Sequence, residues 1–181
     1  MSTVIFVALE DEFPMSMAPK GMNVVYTGIG KVNAASKVAR YLTANPHTEL
    51  VYNYGTAGGG DDSVAGELLG VSALVERDMD LTPLGFPKFV TQERQVPYIY
   101  TSNRDTEIVC GTGDSFARPE DPYHIVDMEA YAIASVVRQF GIHSFYCYKY
   151  ISDTDSDEDP AEAWKKNVSK GAKKFANVLT Y

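Results

Sequence analysis

Several clusters of polar residues stand directly after apolar runs, and most of them are acidic. Glu10, Asp11 and Glu12 close the apolar run at residues 3–8. A glycine-rich stretch, Gly55-Thr56-Ala57-Gly58-Gly59-Gly60, follows the run at 50–54, and Gly113-Asp114-Ser115-Phe116 and Ser152-Asp153 follow two others. Asp127 and Glu129 lie where a helical pattern begins. Carboxylates in such places can move protons during catalysis. Each also has a plainer role: acids after a strand are commonly solvated loop residues, and Asp127 and Glu129 would complement a helix dipole. The glycine segments are weak phosphate signals, because neither GIG (28–30) nor GTAGGG (55–60) matches a Walker or dinucleotide fingerprint. The acid-rich loop carrying Asp153, Asp155, Asp157, Glu158 and Asp159 lacks the central Gly and terminal Glu of an EF-hand. His47, His124 and His143 show no ligand spacing, so neither a metal nor a cofactor is expected.

The elements that must position these groups alternate along the chain. Strands are predicted at residues 3–8, 23–27, 50–54, 67–75, 97–101, 107–110 and 144–151. A helix is predicted at 33–44, with Ala35, Val38 and Leu42 on one face. A second spans 127–140, with Met128, Ile133, Val136, Val137 and Phe140 as apolar positions and Gly141 ending it. The last has Asp159 as N-cap, Pro160 at the first helical position and Glu162 three residues after the cap. Its apolar stripe is Ala161, Trp164, Val168, Phe175 and Val178 or Leu179. Strands alternating with helices imply an α/β fold, a largely parallel sheet covered on both faces. Ligands bind such sheets beyond the carboxyl ends of the strands, which is where the acids lie. With no repeat, low-complexity tract or linker, residues 1–181 are expected to form one domain.

Composition narrows the classes further. The 181 residues are 45% hydrophobic, which suits a globular chain with a sizeable core. No apolar run approaches the roughly 20 residues that span a bilayer, so no membrane association is expected. No basic stretch precedes the first apolar segment, which argues against a signal peptide. Cys110 and Cys147 are too few for a disulfide framework or a cysteine zinc site, and together these features favour the cytosol. The formal net charge of −8 argues against nucleic acid as a partner. The lysines between 165 and 174 read as the solvated face of a helix.

Six segments occur in a fixed order: ALEDE (8–12), TGIGKVNAA (27–35), NYGTAGG (53–59), GTGDSF (111–116), VDMEAYAIA (126–134) and YISD (150–153). In this the chain resembles the nucleoside phosphorylase and nucleosidase superfamily, and within it most closely the bacterial 5′-methylthioadenosine/S-adenosylhomocysteine nucleosidases. The resemblance runs over nearly the whole chain. It implies a three-layer sandwich with a mixed, largely parallel central sheet, and hydrolysis of the N-glycosidic bond of a purine nucleoside.

By the resemblance, Asp153 would protonate the purine at N7, Ser152 would orient it, and Glu12 would activate water. Glu129 would hold the sugar hydroxyls, with Met128 against the ribose. Phe116 would stack on the base, and the backbone around Phe116 and Ala117 would read its edge. Thr56 stands where the family usually has Ser, and keeps the hydroxyl. The division is physically sensible, since breaking a ribosyl C–N bond leaves positive charge on the sugar and negative charge on the purine. An Asp serves as the acid only if its site raises its pKa or it shares a proton tightly with the base.

Departures from the family pattern bear on the substrate. Lys149 stands where these nucleosidases usually carry Arg near the attacking water, and a point charge replaces a planar fork. The segments between Glu12 and Asn23 and between Phe86 and Ile99 are contracted. The resemblance also implies a homodimer whose partner completes the pocket around the 5′ substituent, with Leu84 and Phe86 as exposed apolar candidates for that contact. A purine nucleoside phosphorylase is the main enzymatic alternative. It would need cations for phosphate, yet Asn53 stands where hexameric phosphorylases have Arg, and Glu12, Phe13 and Pro14 stand where another is expected. An inactive nucleoside-binding protein is the alternative from another class, and acids at all three catalytic positions argue against it.

Overall fold

Side chains along β1 (Ser2–Val7) alternate between two cores, and this alternation organises the molecule. Val4 and Phe6 face one core, shared with α1 (Lys31–Ala44) and α2 (Ala130–Gln139). Ile5 and Val7 face the other, shared with Phe13, Tyr54 and Phe175. The same split runs along β3 (Thr48–Gly59) and β9 (Ser144–Thr154). Val51, Ala57, Cys147 and Ile151 join the first core, whereas Tyr54 and Tyr150 join the second. Phe175, on α4 (Ala172–Val178), stacks on Tyr54 at 4.4 Å between ring centroids and meets Phe13 edge-on at 5.1 Å. The result is a sheet with α1 and α2 on one face and α4 on the other, the expected three layers.

The computed structural model describes residues 2–120 and 122–180. Among the described residues the remaining strands and α-helix are β2 (Met22–Tyr26), β4 (Leu68–Gly70), β5 (Ala73–Glu76), β6 (Tyr98–Tyr100), β7 (Val109–Thr112), β8 (Ile125–Asp127) and α3 (Pro160–Asn167), with short 3-10 turns at Met15–Met17, Asp62–Val64 and Thr82–Leu84. The sheet runs β2-β1-β3-β8-β7-β5-β6, and β9 pairs with β3 and β4. It is mixed and mostly parallel: β3 with β8, β4 with β9 and β5 with β6 are the antiparallel pairs among the described residues. The twelve-residue β3 holds the two halves together. Its first part pairs with β1, its last residues Gly58 and Gly59 pair with β8, and β9 follows its other edge from Leu50 to Gly59. Among the described residues, no helix is long and apolar enough to cross a membrane.

The structure revises several expected boundaries. The glycine-rich segment expected as a loop after residue 54 continues as strand to Gly59. Its glycines make room for side chains of neighbouring strands: a Cβ at Gly58 would lie 3.0 Å from Asp153 Oδ2, and one at Gly55 would lie 3.2 Å from Lys149 Nζ. Asp127 ends the short strand β8 instead of opening a helix, and α2 begins at Ala130 with Glu129 as its N-cap residue. Three residues are too few for periodicity to separate from the helical pattern beside them. The strand expected at 67–75 is two, because Val71 N–H donates to β9 at Cys147 while Ser72 N–H donates to Ile108. On α1 the fully buried positions are Ala34, Val38 and Leu42, with Ala35 only half-buried, and Phe140 beyond α2 is exposed.

The last helix is two. The Asp159 cap is as expected, with its carboxylate accepting from the amides of Ala161 and Glu162 at 3.1 Å each. The helix then breaks before Gly171, so that α3 buries no residue fully while α4 buries Ala172 and Phe175. At Gly171 the backbone is ordinary (φ −79°), but an added Cβ would sit 2.3 Å from Tyr150 Cγ and 2.5 Å from Tyr54 Oη. Substituting Ala would normally stabilise such a position by about 0.4–1 kcal/mol through the unfolded chain. Here the clash dominates, and Gly171→Ala is expected to cost about 1–3 kcal/mol. An unchanged or raised urea midpoint for this variant would contradict the packing described.

Candidate active site

The ends of β1, β3, β7, β8 and β9 meet around one cavity of about 300 Å³. Because β8 runs antiparallel to β3, its end arrives beside Gly58, and residues 126–129 form one wall. Residues 115–117 after β7, Ser152 and Asp153 of β9, and Ala161, Trp164 and Lys165 of α3 complete it. Glu12, Glu129 and Asp153 all line this space and all are at least nine-tenths buried.

Glu12 is held by three donors. The chain folds back after β1, with Glu12 N–H donating to Leu9 O at 3.2 Å, so that Leu9 N–H reaches Glu12 Oε2 at 3.1 Å. The amide and hydroxyl of Thr56 both donate to Oε1 at 2.8 Å. The Thr56 hydroxyl in turn accepts from Trp164 Nε1 at 2.9 Å.

Glu129 sits at the start of α2, and its Oε1 accepts from Gly30 N–H at 2.8 Å. Gly30 has φ +92°, a conformation that glycine adopts without strain, and this turn aims the first amides of α1 at carboxylates. The next amide, of Lys31, donates to Asp114 Oδ1 at 2.8 Å. Burial, reinforced by the negative charge of Asp127, pushes the Glu129 carboxyl up to about 8, although Lys149 and the Gly30 amide oppose the shift.

Asp127 and Lys149 form a buried ion pair, with Nζ 2.8 Å from Oδ2. Burial disfavours both charges, but each outweighs that penalty for the other. Lys149 is held above its ordinary range by Asp127, and Asp127 below its own by Lys149, Thr112 and the Ala130 amide. Lys149 is thus placed differently from the expectation of a group beside attacking water: it lies beneath Gly55 and does not line the cavity. Its position is structural at closest range, because Asp127 also accepts from the Glu129 and Ala130 amides that open α2.

Asp153 and Ser152 are coupled directly, the Ser152 hydroxyl donating to Asp153 Oδ1 at 2.6 Å. Burial raises the Asp153 carboxyl above its ordinary range, the Ser152 hydrogen bond works against this, and Asp157 adds to it. Such a group holds its proton more tightly than a solvated aspartate. Phe116 is 57% exposed at the cavity wall, and Arg77 steadies its loop by donating to the carbonyls of Gly113 and Ser115. Met128, Ala117 and Thr56 also line the cavity. Leu84 and Phe86 do not; Leu84 is exposed and Phe86 half-buried.

Trp164 and Ile29 line the cavity without having been singled out as site residues. Trp164 fits the apolar stripe of a helix, and no spacing marks it as facing a ligand. Asn53 does not line the cavity and donates to Phe6 O at 3.1 Å, and among the described residues Lys165 is the one basic residue lining it. Among the described residues, no three His, Cys, Asp or Glu side chains are grouped as a metal site requires. The arrangement therefore offers proton-holding and proton-accepting carboxylates and an aromatic face around a space of nucleoside size.

The 5′-methylthioadenosine/S-adenosylhomocysteine nucleosidase of Anoxybacillus flavithermus is 32% identical over 166 residues, covering 76% of this chain and 71% of that protein. The futalosine hydrolase of Thermus thermophilus is 41% identical over 86 residues, 42% of this chain and 36% of that protein. Among solved structures, the Helicobacter pylori 5′-methylthioadenosine/S-adenosylhomocysteine nucleosidase with butyl-thio-DADMe-Immucillin-A superposes with a TM-score of 0.84 at 20% identity. That match covers 99% of this chain and 97% of the other, and it shows the same fold. No family model matches the chain.

The raised Glu129 carboxyl has a consequence for stability. Between its ordinary 4.5 and about 8, the folded protein keeps a proton that the unfolded chain has released. Its contribution to stability is therefore complete below the lower value and is lost as pH rises through the upper one. Glu129→Gln keeps an acceptor for Gly30 and cannot ionise. Relative to wild type the variant should gain stability on going from about pH 5 to about pH 8, on the order of a few kcal/mol at most. Parallel pH profiles of the urea midpoint for the two proteins would refute this.

Proposed function

Because the chain belongs to the 5′-methylthioadenosine/S-adenosylhomocysteine nucleosidase family, we propose that it hydrolyses the N-glycosidic bond of an adenine nucleoside of that type, in the cytosol. The observation that carries this is the convergence of Glu12, Glu129 and Asp153 from three elements on one cavity beside Phe116. In this reaction the C1′–N9 bond breaks and its electron pair goes to the purine. Asp153, whose environment favours the protonated form, delivers its proton to N7, so that the base leaves neutral. Water attacks C1′ and Glu12 takes a proton from it, while Glu129 holds the ribose hydroxyls and Phe116 stacks on the base. The free, buried Cys110 and Cys147 suit a reducing compartment.

The cavity lining also favours hydrolysis over phosphorolysis, since among the described residues Lys165 is the one cation there to hold a phosphate. Futalosine is the second substrate worth assaying, given the stretch of 41% identity to a futalosine hydrolase.

Asp153→Asn should remain folded yet lose nearly all base release, because an amide cannot deliver the proton. Wild-type turnover should need no phosphate and should yield the free sugar derivative. Near-normal release of the purine base by Asp153→Asn from 5′-methylthioadenosine, S-adenosylhomocysteine or futalosine would remove Asp153 as the acid. A sugar 1-phosphate as main product would make the protein a phosphorylase.

The protein is further proposed to act as a homodimer, with Leu84 and Phe86 contributing to the contact that closes the 5′ end of the pocket. The 72% exposure of Leu84 supports this assignment. Light scattering at micromolar concentration should give twice the chain mass, and Leu84→Glu should lower it. A wild-type monomer would count against the proposal.

A further inference from the structure

The chain's one tryptophan reaches the Glu12 carboxylate through a hydroxyl, and the direction of each hydrogen bond on that path is determined. An indole N–H can only donate. Thr56 Oγ1, 2.9 Å from Trp164 Nε1, must therefore accept from it. A hydroxyl has a single proton, and the other partner of Oγ1 is Glu12 Oε1 at 2.8 Å, so that proton goes to the carboxylate. Oε1 thereby receives two donors, the amide and the hydroxyl of Thr56, and Oε2 receives Leu9 N–H. An ionised carboxylate has about four acceptor positions. Among the described residues three donors reach it, and the position left open is on Oε2.

We infer that Trp164 is a positioning residue for the general base: its indole N–H locks the Thr56 hydroxyl as a donor and so directs the reactive lone pair of Glu12 to Oε2. This rests on Glu12 acting as the base that takes a proton from water. Without the indole N–H the Thr56 oxygen loses the donor that orients it, its bond to Oε1 is held less firmly, and Oε1 competes for the incoming proton. Trp164 never touches the reacting atoms in this role; it acts through Thr56. α3 has a second anchor beside this contact, because Asn167 Nδ2 also donates to Ser152 O at 2.7 Å.

The test compares Trp164→Phe, which keeps an aromatic cavity wall and removes the N–H, with Thr56→Val, Thr56→Ser, the Phe/Val double variant and Glu12→Gln. Adenine release supplies kcat and KM, and calorimetry supplies adenine affinity. Trp164→Phe is expected to lower kcat about tenfold while KM and adenine affinity stay within about twofold, the pattern of an interaction felt in the transition state. Thr56→Ser should keep most of the activity. The double variant should be little slower than Thr56→Val alone, since Trp164 has nothing to act on once the hydroxyl is gone. A Trp164→Phe kcat within twofold of wild type, or a double-variant loss equal to the product of the single losses, overturns the inference. Weakened adenine binding by Trp164→Phe also overturns it, because α3 would then have shifted. Should Glu12→Gln stay active, the assignment of the base falls and this inference falls with it. An inactive Glu12→Gln beside a normal Trp164→Phe removes the inference alone.

Discussion

The buried pair of Asp127 and Lys149 is the interaction on which the rest of the site depends. Lys149 stands on β9 beneath Gly55 of β3, and Asp127 ends β8. Asp127 also accepts from Thr112 Oγ1 at 2.5 Å, and that oxygen takes the Tyr131 amide at 2.9 Å. One carboxylate thus joins β7, β8, β9 and the first turn of α2. Desolvating two charges is costly, and the cost is met here by close geometry and a full set of donors. The same carboxylate holds the Glu129 and Ala130 amides, so the pair sets where the Glu129 side chain begins.

The lysine at this position differs from the arginine that the family resemblance leads one to expect. A guanidinium is a broad planar fork, whereas an ammonium is a compact point charge. The space beside Gly55 suits the compact group, since even a Cβ there would lie 3.2 Å from Nζ and 3.4 Å from Glu12 Oε1. Gly55 and Gly58 are therefore places where a strand gives up side chains so that Lys149 and Asp153 of its neighbour can occupy the space. A strand interior rich in glycine is locally weak, and β3 tolerates it because β9 follows its whole second half.

Of the carboxylates lining the cavity, Glu12, Glu129 and Asp153 differ in their surroundings. Glu12 accepts hydrogen bonds from the Leu9 amide and from the amide and hydroxyl of Thr56, and burial raises both Glu129 and Asp153. Environments that separate the behaviour of like groups allow acid and base roles to coexist in one cavity. α3 bridges the two sides, with Trp164 on Thr56 near Glu12 and Asn167 on Ser152 beside Asp153. Its lack of fully buried residues follows from this placement over a cavity instead of a core.

Much was legible from residue order alone. Apolar runs ending in acids marked β1 and β9, the Asp159-Pro160 cap marked α3, and the ordered motifs marked the family, because each is a local pattern that backbone geometry reads directly. Local pattern could not reveal that GTAGG stays in a strand, since glycine there answers to side chains almost a hundred residues away. Nor could it separate β8 from α2, or α3 from α4, where short elements share one apolar pattern and packing decides the break. The partner of Lys149, the donors on Glu12 and the reach of Trp164 to Thr56 were settled by tertiary structure alone. Hydrogen bonds and ion pairs depend on distances of a few ångströms between strands, and the sequence specifies those distances only through the completed fold.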